Sequence, residues 1–354
     1  MNGSLRTPIR RAWLLSCALL VMTALLLVVA MPAFAQEGTP PQQPSALAPA
    51  GPNSAAIADV FNIVLIMATV VFVVVEGLIV FSAFRFRRKA QDTSEPVQVH
   101  GNTKAEIAWT ILPALIVVTL FVLALQTMQT LNTPPAAAAA QQMTVKVIGH
   151  RFWWEYQYPD LNITTATDLV IPTGKVVNLE LSSVDVIHSF WIPQLNGKTD
   201  AFPNHINKTW IQANTPGFYY GQCAELCGPS HANMRAVVIA KTPEEFDQWV
   251  KDQQALPISP SDVLAQQGQQ VLLAGACIGC HMINGTAAQG KVGPNLTHVA
   301  SRTSIAGGTL TNTAGNLKRW LANPPAIKPD SVMPNLNLAQ SDIDALTAYL
   351  QSLK

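Results

Sequence analysis

Two long apolar runs stand out along this chain, covering residues 57–84 and 107–127. Each is long enough to cross a bilayer as an α-helix, which takes about 20 residues. The first run ends in a cluster of arginines and lysine at 85–89, a composition typical of the cytoplasmic side of a membrane. The pattern therefore predicts a transmembrane helical hairpin over 57–130, with its turn in the cytoplasm and both ends outside.

An earlier apolar run, residues 12–30, follows three arginines and precedes a small-x-small site at 33–35. This order is typical of a secretory signal, so we predict a signal peptide over 1–35, with a retained third membrane helix as the alternative. Residues rich in Pro, Ala, Ser and Gln predict an extended linker at 36–56 and a second linker at 131–142.

In residues 143–255 the hydrophobic positions follow a different periodicity. Short alternating runs at 144–148, 176–181 and 236–240 are separated by Pro and Gly turns, a pattern that predicts an all-β sandwich or small barrel. A helix is predicted at its end, over 243–255, where a proline and two glutamates mark the first turn.

The last part of the chain, 261–354, changes to a helical pattern after a proline-rich boundary. Helices are predicted at 262–274, 314–322 and 341–353. The fold class that follows is a multidomain membrane protein: a two-helix transmembrane hairpin, an all-β domain and an all-α domain.

Composition narrows the function only slightly. The net charge is +1 and only 12% of residues are charged, so nothing indicates binding to nucleic acid. Hydrophobic residues make up 49%, as expected for a membrane protein. Four of the five cysteines lie in two short clusters, which does not fit a disulfide-stapled secreted fold.

The first cluster places Cys223, Cys227, His231 and Met234 within twelve residues, with His188 located 35 residues upstream. Thiolates and imidazoles are ligands that copper and zinc favour. A disulfide and a structural zinc site are alternatives, although zinc needs only four ligands and rarely takes methionine. A single blue-copper centre needs one cysteine, so the second one favours two copper ions bridged by two thiolates.

The second cluster, Cys277-Ile-Gly-Cys280-His281, is the pattern for covalent attachment of a c-type haem. His281 would be the proximal iron ligand, and a second axial ligand is then required. Met333 is the favoured residue because methionine raises the reduction potential, and His298 is the alternative. Two redox centres in one chain predict that electrons pass through it.

The first cluster resembles the binuclear copper centre, CuA, of haem-copper oxidase subunit II. Further segments in matching order are similar to that family: residues 187–193 (Ile-His-Ser-Phe-Trp-Ile-Pro), 198–203, 216–223 and, in the second membrane span, 109–114. Residues 293–296 (Gly-Pro-Asn-Leu) are similar to class I cytochrome c loops. The resemblance implies a cupredoxin-like β domain followed by a class I cytochrome c domain.

The same resemblance implies a ligand set. Cys223 and Cys227 would bridge the two copper ions. His188 and Met234 would complete one ion, and the other would take His231 and a backbone carbonyl. The residues implied for CuA are His188, Cys223, Glu225, Cys227, His231 and Met234. The side chain of Glu225 would in addition reach a Mg²⁺ or Mn²⁺ ion shared with the catalytic subunit.

Other residues match functional positions of the family less specifically. Phe152, Trp153 and Trp154 resemble the aromatic stretch where electrons enter, with plain hydrophobic cover as the alternative. Glu106 matches an acid near a proton-uptake channel, and an interfacial carboxylate is the alternative. Glu76 lies deep in the first span, where it implies either a partner helix or a proton carrier.

The function implied is the electron-entry subunit of a caa-type cytochrome c oxidase. Electrons would pass from haem c to CuA and on to haem in subunit I, where O₂ is reduced and protons are translocated. Partners would be oxidase subunits I and III, with cytochrome c or a bc-type reductase as donor. The location would be the bacterial plasma membrane, with the soluble domains outside. The alternatives are a CuA-type nitric oxide reductase subunit and a membrane-anchored copper-binding protein.

Overall fold

The fold is seen in a computed structural model of the chain. It describes residues 44–88, 91, 95, 98, 100–135 and 143–354. The predicted signal peptide, the first part of the first linker and residues 136–142 of the second linker lie outside the described residues.

Two long helices form the hairpin, α1 (Pro52–Arg85) and α2 (Thr103–Asn132). Both carry an 18-residue window of high mean hydropathy, 2.9 and 2.5, whose side chains no other part of the described chain buries. At 1.5 Å per residue α1 is about 51 Å long, which exceeds the ~30 Å hydrocarbon core of a bilayer. Part of α1 therefore extends beyond the membrane.

The start of α1 is fixed by the β domain, and the predicted linker 36–56 is wrong for its last residues. The Asn53 side chain is buried and its Nδ2 donates to the carbonyl of Trp210 at 2.9 Å. The buried Ser54 hydroxyl donates to the carbonyl of Gln194 at 2.6 Å. These long-range hydrogen bonds stabilise a helical turn that local composition did not indicate.

The β domain is a sandwich of two five-stranded sheets, as the sequence pattern predicts. The first sheet has the order β3-β2-β1-β5-β8 and the second β4-β10-β9-β6-β7. Its strands are β1 (Met143–His150), β2 (Trp153–Tyr158), β3 (Ile163–Ala166), β4 (Asp168–Pro172), β5 (Val177–Ser183), β6 (His188–Trp191), β7 (Thr199–Ala201), β8 (Asn207–Ile211), β9 (Gly217–Cys223) and β10 (Arg235–Lys241). Strand β1 pairs in parallel with β5, and β4 with β10, while the other pairs are antiparallel.

Helix α3 (Pro243–Gln254) closes the β domain close to its predicted position. The Thr242 hydroxyl accepts from the N–H of Glu245, and the Glu245 carboxylate accepts from the N–H of Thr242. This capping box, together with a proline in the first turn, explains why the start of the helix could be predicted from the sequence.

The C-terminal domain is helical. Its helices are α4 (Val263–Ala274), α5 (Ala314–Ala322), α6 (Pro324–Ile327) and α7 (Gln340–Ser352). A short hairpin of β11 (Ser304–Ile305) and β12 (Leu310–Thr311) lies between α4 and α5. Helices α4 and α7 cross at Gly268, where a Cβ atom would lie 1.9 Å from the carbonyl oxygen of Ala345. Only glycine allows this close approach, so Gly268 sets the helix crossing.

The β domain and the C-terminal domain are in contact, an arrangement the sequence left open. Asp168 accepts hydrogen bonds from the N–H and the hydroxyl of Thr303, at 2.7 and 2.9 Å. At another point of the contact, the N–H of Arg235 donates to the carbonyl of Gly307 at 2.9 Å. This docking determines how the two candidate sites face each other.

Candidate metal and haem centres

The strand pairing of the second sheet assembles the sulfur and imidazole groups. Cys223 ends β9 and Met234 immediately precedes β10, so this antiparallel pair closes a loop that contains Cys227 and His231. His188 begins β6, which pairs with β9 in a register that places Phe190 opposite Cys223. Residues 35 positions apart in sequence are thereby neighbours.

We call the group of His188, Cys223, Cys227, His231 and Met234 the dithiol cluster. The two Sγ atoms lie 3.9 Å apart and both thiols are free. Nδ1 of His188 is 3.9 Å from Sγ of Cys223, and Nδ1 of His231 is 3.6 Å from Sγ of Cys227. Sδ of Met234 is 3.9 Å from Sγ of Cys227. All of these side chains except His231 are buried, so the donor atoms meet away from water.

The predicted backbone ligand is also nearby, since the carbonyl oxygen of Glu225 lies 3.3 Å from Sγ of Cys223. The donor set of two thiols, two imidazoles, a thioether and a carbonyl suits copper. The Glu225 side chain is exposed. Within the described part of the chain, the metal-capable groups that gather are His188, Cys223 and Cys227, so a Mg²⁺ or Mn²⁺ ion at Glu225 would need further ligands from elsewhere.

Sequence reasoning missed Asp185, which orients the fully buried side chain of His188. Its Oδ1 lies 2.8 Å from Nε2 of His188, and this contact turns Nδ1 towards the thiols. The backbone N–H groups of Arg151 and Val186 donate to the same carboxylate, each at 2.7 Å. Burial opposes ionisation, but these hydrogen bonds outweigh it and lower the pKa of Asp185 to about 2. A carboxylate behind a metal-binding histidine is a common arrangement, and an aspartate three residues before the histidine was a usable signal.

The protonation of the two thiols is unequal. A hydrogen bond from Cys227 lowers the pKa of Cys223 to about 3, and the same contact raises the pKa of Cys227. Burial lowers the pKa of His188, but its hydrogen bonds to Asp185 and Cys223 outweigh this and raise the pKa overall. Because the thiolate is the form that binds metal, the cluster offers one ready ligand and releases the second proton on metal binding.

The second site is a cavity in the C-terminal domain lined by Cys277, Cys280, His281 and Met333. A 3₁₀ turn (Ala276–Gly279) holds Cys277, Cys280 caps the end of this turn, and His281 follows directly. Nδ1 of His281 lies 2.8 Å from the carbonyl oxygen of Pro294, which fixes the ring and leaves Nε2 free for a metal. The remaining lining is mostly apolar, as a porphyrin requires, so the residues present fit a covalently attached haem.

Met333 and His298, the two candidates for the second axial ligand of a haem iron, lie in different surroundings. Met333 lines the cavity. His298 is buried outside the lining, and its Nδ1 lies 2.8 Å from the carbonyl oxygen of Lys354. The structure therefore brings Met333, and not His298, into the pocket with His281.

The three aromatic residues at 152–154 lie in two different environments. Phe152 and Trp153 line the haem cavity, although they belong to the β domain. Trp154 is fully buried in the β core, where its ring packs edge-on against His188 with centroids 5.8 Å apart. Phe152 also belongs to the buried core that contains Cys223, Cys227 and Met234, and its ring lies 3.1 Å from where a Cβ of Gly228, next to Cys227, would be. Phe152 thus borders both sites.

The two acidic residues of the hairpin are placed as follows. Glu106 lies in the first turn of α2, where its carboxylate accepts from the N–H of Asn102 at 3.2 Å. This contact alone would explain an acid at that position. Glu76 is exposed on α1 within the described chain, as expected if another helix covers it.

Family models match three successive parts of the chain. Residues 43–127 match the transmembrane domain of cytochrome c oxidase subunit II, and residues 161–241 match the periplasmic domain of the same subunit. Residues 265–354 match cytochrome c. The order of these matches is the order of the hairpin, the β domain and the C-terminal domain.

Two individual relatives match this chain in sequence over most of its length. Cytochrome c oxidase subunit 2 of Alkalihalophilus pseudofirmus is 40% identical over 313 residues, covering 88% of this chain and 91% of the relative. The Bacillus subtilis protein of the same name is 33% identical over 331 residues, covering 88% and 92%. A crystal structure of the periplasmic domain of subunit II from Bradyrhizobium japonicum is 33% identical, covering 32% of this chain and 93% of that one, with a TM-score of 0.31.

These matches do not favour the nitric oxide reductase or the copper-binding protein considered above. The subunit II and cytochrome c domains imply a CuA copper centre and a haem c, for which the dithiol cluster and the cavity provide fitting residues. The hairpin places the subunit in the bacterial plasma membrane. The chain belongs to the cytochrome c oxidase subunit II family, in a form that carries its own cytochrome c domain, and it is an electron-entry subunit of the oxidase.

Proposed function

We propose that the dithiol cluster holds the binuclear copper centre. Its ligands are the side chains of His188, Cys223, Cys227, His231 and Met234 and the backbone carbonyl of Glu225. The support is the convergence of all six donor groups on the facing ends of β6, β9 and β10, where most of them are buried. The copper pair supplies a one-electron carrier when bound, and the rigid strand scaffold limits rearrangement of its ligands.

We propose that Cys277 and Cys280 attach the haem covalently and that its iron takes Nε2 of His281 and Sδ of Met333. Pro294 holds the proximal ring through the hydrogen bond to Nδ1, which fixes the tautomer. The haem supplies the second one-electron carrier. The apolar lining around it excludes water and, with the methionine, keeps the potential high.

The observation that carries the functional proposal is that Phe152 borders both sites. We infer that electrons leave the haem site through Phe152, with Trp153 as the adjoining ring, and that Trp154 serves as cover behind His188. A donor held on the same chain has a high effective concentration, so this transfer needs no diffusional encounter.

Outside the chain, we propose that oxidase subunit I receives the electrons, that subunit III accompanies it, and that cytochrome c or a bc-type reductase is the donor. Membership of the oxidase family supports other oxidase subunits as partners. The exposed Glu225 carboxylate would complete a Mg²⁺ or Mn²⁺ site with subunit I. Glu106 would lie near a proton-uptake channel, and Glu76 would pack against a partner helix.

A reciprocal pair of variants tests the two sites in the purified oxidase. Cys223→Ser should lose copper and keep the covalent haem, whereas Cys277→Ser combined with Cys280→Ser should lose the covalent haem and keep copper. Copper and iron per chain are measured by elemental analysis, and electron transfer by O₂ consumption with reduced cytochrome c. Retention of both copper ions in the Cys223→Ser variant would contradict the assignment.

A further inference from the structure

A lysine is buried where the two soluble domains meet. Lys328, in the segment after α6, is only 3% exposed. Its ammonium donates to the carbonyl of Ala306 in its own domain at 2.7 Å and to the carbonyl of Phe152 in the β domain. It forms no ion pair with any described carboxylate. Removing this group from water lowers the pKa of Lys328 to about 7.

The stability of the C-terminal domain alone does not explain why a lysine is buried at position 328. Burying an ammonium without a carboxylate costs free energy, and an apolar side chain of similar length would fill the space at lower cost. Within its own domain the ammonium contacts one carbonyl, that of Ala306. The contact that remains is the one across the domain boundary, to the residue that borders both redox sites.

The backbone around the ammonium is shaped for this contact. Gly307 lies beside it with φ at +64°, and a Cβ there would be 2.4 Å from the Phe152 carbonyl oxygen and 2.5 Å from Nζ of Lys328. The carbonyl of Gly307 accepts from the N–H of Arg235, which begins β10 directly after Met234. Gly307 therefore keeps the space open between Lys328, the backbone of Phe152 and strand β10.

Neighbouring residues extend the same contact. The hydroxyl of Ser230, in the loop of the dithiol cluster, donates to the carbonyl of Pro329 at 2.5 Å. The Asp330 carboxylate lies 3.8 Å from the guanidinium of Arg151, but Asp330 is exposed and Arg151 is only half-buried, so such a pair contributes little. The buried amino group of Lys328 thus anchors, through its hydrogen bonds, a segment (328–330) that leads to Met333.

We propose that Lys328 is a positioning residue: its ammonium clamps the C-terminal domain to the backbone of Phe152 and so fixes the haem site relative to the dithiol cluster. The clamp itself follows from the contacts of this chain. Its consequence for electron transfer rests on the route through Phe152 proposed above.

The first test measures the clamp without electron transfer. Lys328→Met in the full chain, purified within the oxidase, is compared with Lys318→Met, which removes an exposed ammonium of the same domain. Hydrogen exchange is followed at the N–H of Arg235, which bonds across the boundary. We expect exchange roughly tenfold faster or more in Lys328→Met only, because loss of the amino group leaves the carbonyls of Phe152 and Ala306 without this donor. Exchange unchanged from the parent chain, with the covalent haem present, would overturn the clamp.

The second test measures the consequence. After injection of one electron at the haem, its arrival at copper is timed by the absorbance changes of the two centres. Lys328→Met should slow this step by more than any measured change in the potentials of the two centres explains, and Lys318→Met should not. Because Lys328 also lines the cavity, a slowed step that is fully explained by a shifted haem potential would overturn the positioning role.

A second variant keeps the proposal testable if Lys328→Met does not accumulate. Gly307→Ala leaves the lysine in place and inserts a methyl group between its ammonium and Phe152. It should reproduce both the faster exchange and the slower transfer. If exchange rises but transfer does not slow, the route through Phe152 fails. If Gly307→Ala changes neither, the clamp is wrong, irrespective of the copper assignment.

Discussion

At the scale of single residues, Asp185 determines which nitrogen of His188 faces the thiols. An amide at this position keeps the shape but loses the charge, so the imidazole is held less firmly and is a poorer ligand. For Asp185→Asn we expect copper affinity to fall about 10- to 100-fold. Competition with a copper chelator measures it. The matched control is Asp160→Asn, an exposed carboxylate of the same domain, and an equal effect in both variants would contradict the role.

Gly293 makes room for the ring of His281, the proposed proximal ligand. A Cβ at this position would lie 2.5 Å from Cε1 of His281, so Gly293→Ala must displace the ring or the loop that holds it. We expect a weakened iron–histidine bond, seen as an altered haem absorbance spectrum and a changed potential. Gly279→Ala is the control, because a Cβ there has no described atom within 4 Å. An unchanged spectrum in Gly293→Ala would show that the loop yields at no cost to ligation.

The site residues that could be predicted from the sequence are those that lie close to one another along the chain. The thiols, His231 and Met234 lie within one short loop, and Cys277, Cys280 and His281 form one motif, so spacing alone indicated them. Asp185 and Lys328 carry no such signature. Lys328 acquires its role only through Phe152, 176 positions away, and a lone lysine after a helix gives no sign of burial.

At the scale of elements, the crossing of α4 and α7 depends on Gly268. A methyl group would lie 1.9 Å from the Ala345 carbonyl oxygen, so Gly268→Ala must separate the helices. Overpacking of this kind costs about 1–3 kcal/mol, occasionally more. The thermal midpoint of the C-terminal domain, followed by haem absorbance, should fall. Gly315→Ala in α5, where a Cβ has no described atom within 4 Å, should leave the midpoint unchanged or raise it.

The helices show which element boundaries a sequence can predict. Helix α3 carries its own start signal in Thr242 and Glu245, and its predicted bounds agree with the structure to within one residue. Helix α1 begins five residues before the predicted span, because Asn53 and Ser54 bond to the β domain. Local composition indicated a linker there. Tertiary hydrogen bonds override such preferences, and they are invisible in a single sequence.

At the scale of the whole molecule, the two soluble domains form one electron-transfer unit. The cavity of the C-terminal domain is partly walled by Phe152 and Trp153 of the β domain. The sequence could predict two domains and two centres, but not their relative position. The contacts that fix it join residues such as Asp168 and Thr303, 135 positions apart, and neither belongs to a recognisable motif.

This contact should respond to pH through Asp168. The carboxylate is buried, and desolvation raises its pKa to about 6 in spite of the hydrogen bonds from Thr303 and the attraction of Arg302. The ordinary value is 3.8, so between pH 3.8 and about 6 the folded protein binds more protons than the unfolded chain. Stability contributed by this group is therefore greatest at low pH and is lost as pH rises through that window, by at most about 3 kcal/mol.

Asp168→Asn isolates this effect, because the amide does not titrate and its oxygen still accepts from the N–H of Thr303. Relative to the parent chain, the thermal midpoint of the variant should rise from pH 4 to pH 6 and remain level above pH 7. Haem absorbance in the detergent-solubilised oxidase reports the transition. Asp160→Asn, at an exposed carboxylate, should show no such slope. A constant difference between Asp168→Asn and the parent chain from pH 4 to pH 7 would mean that Asp168 stays ionised at the domain contact, held by Arg302 against the cost of burial.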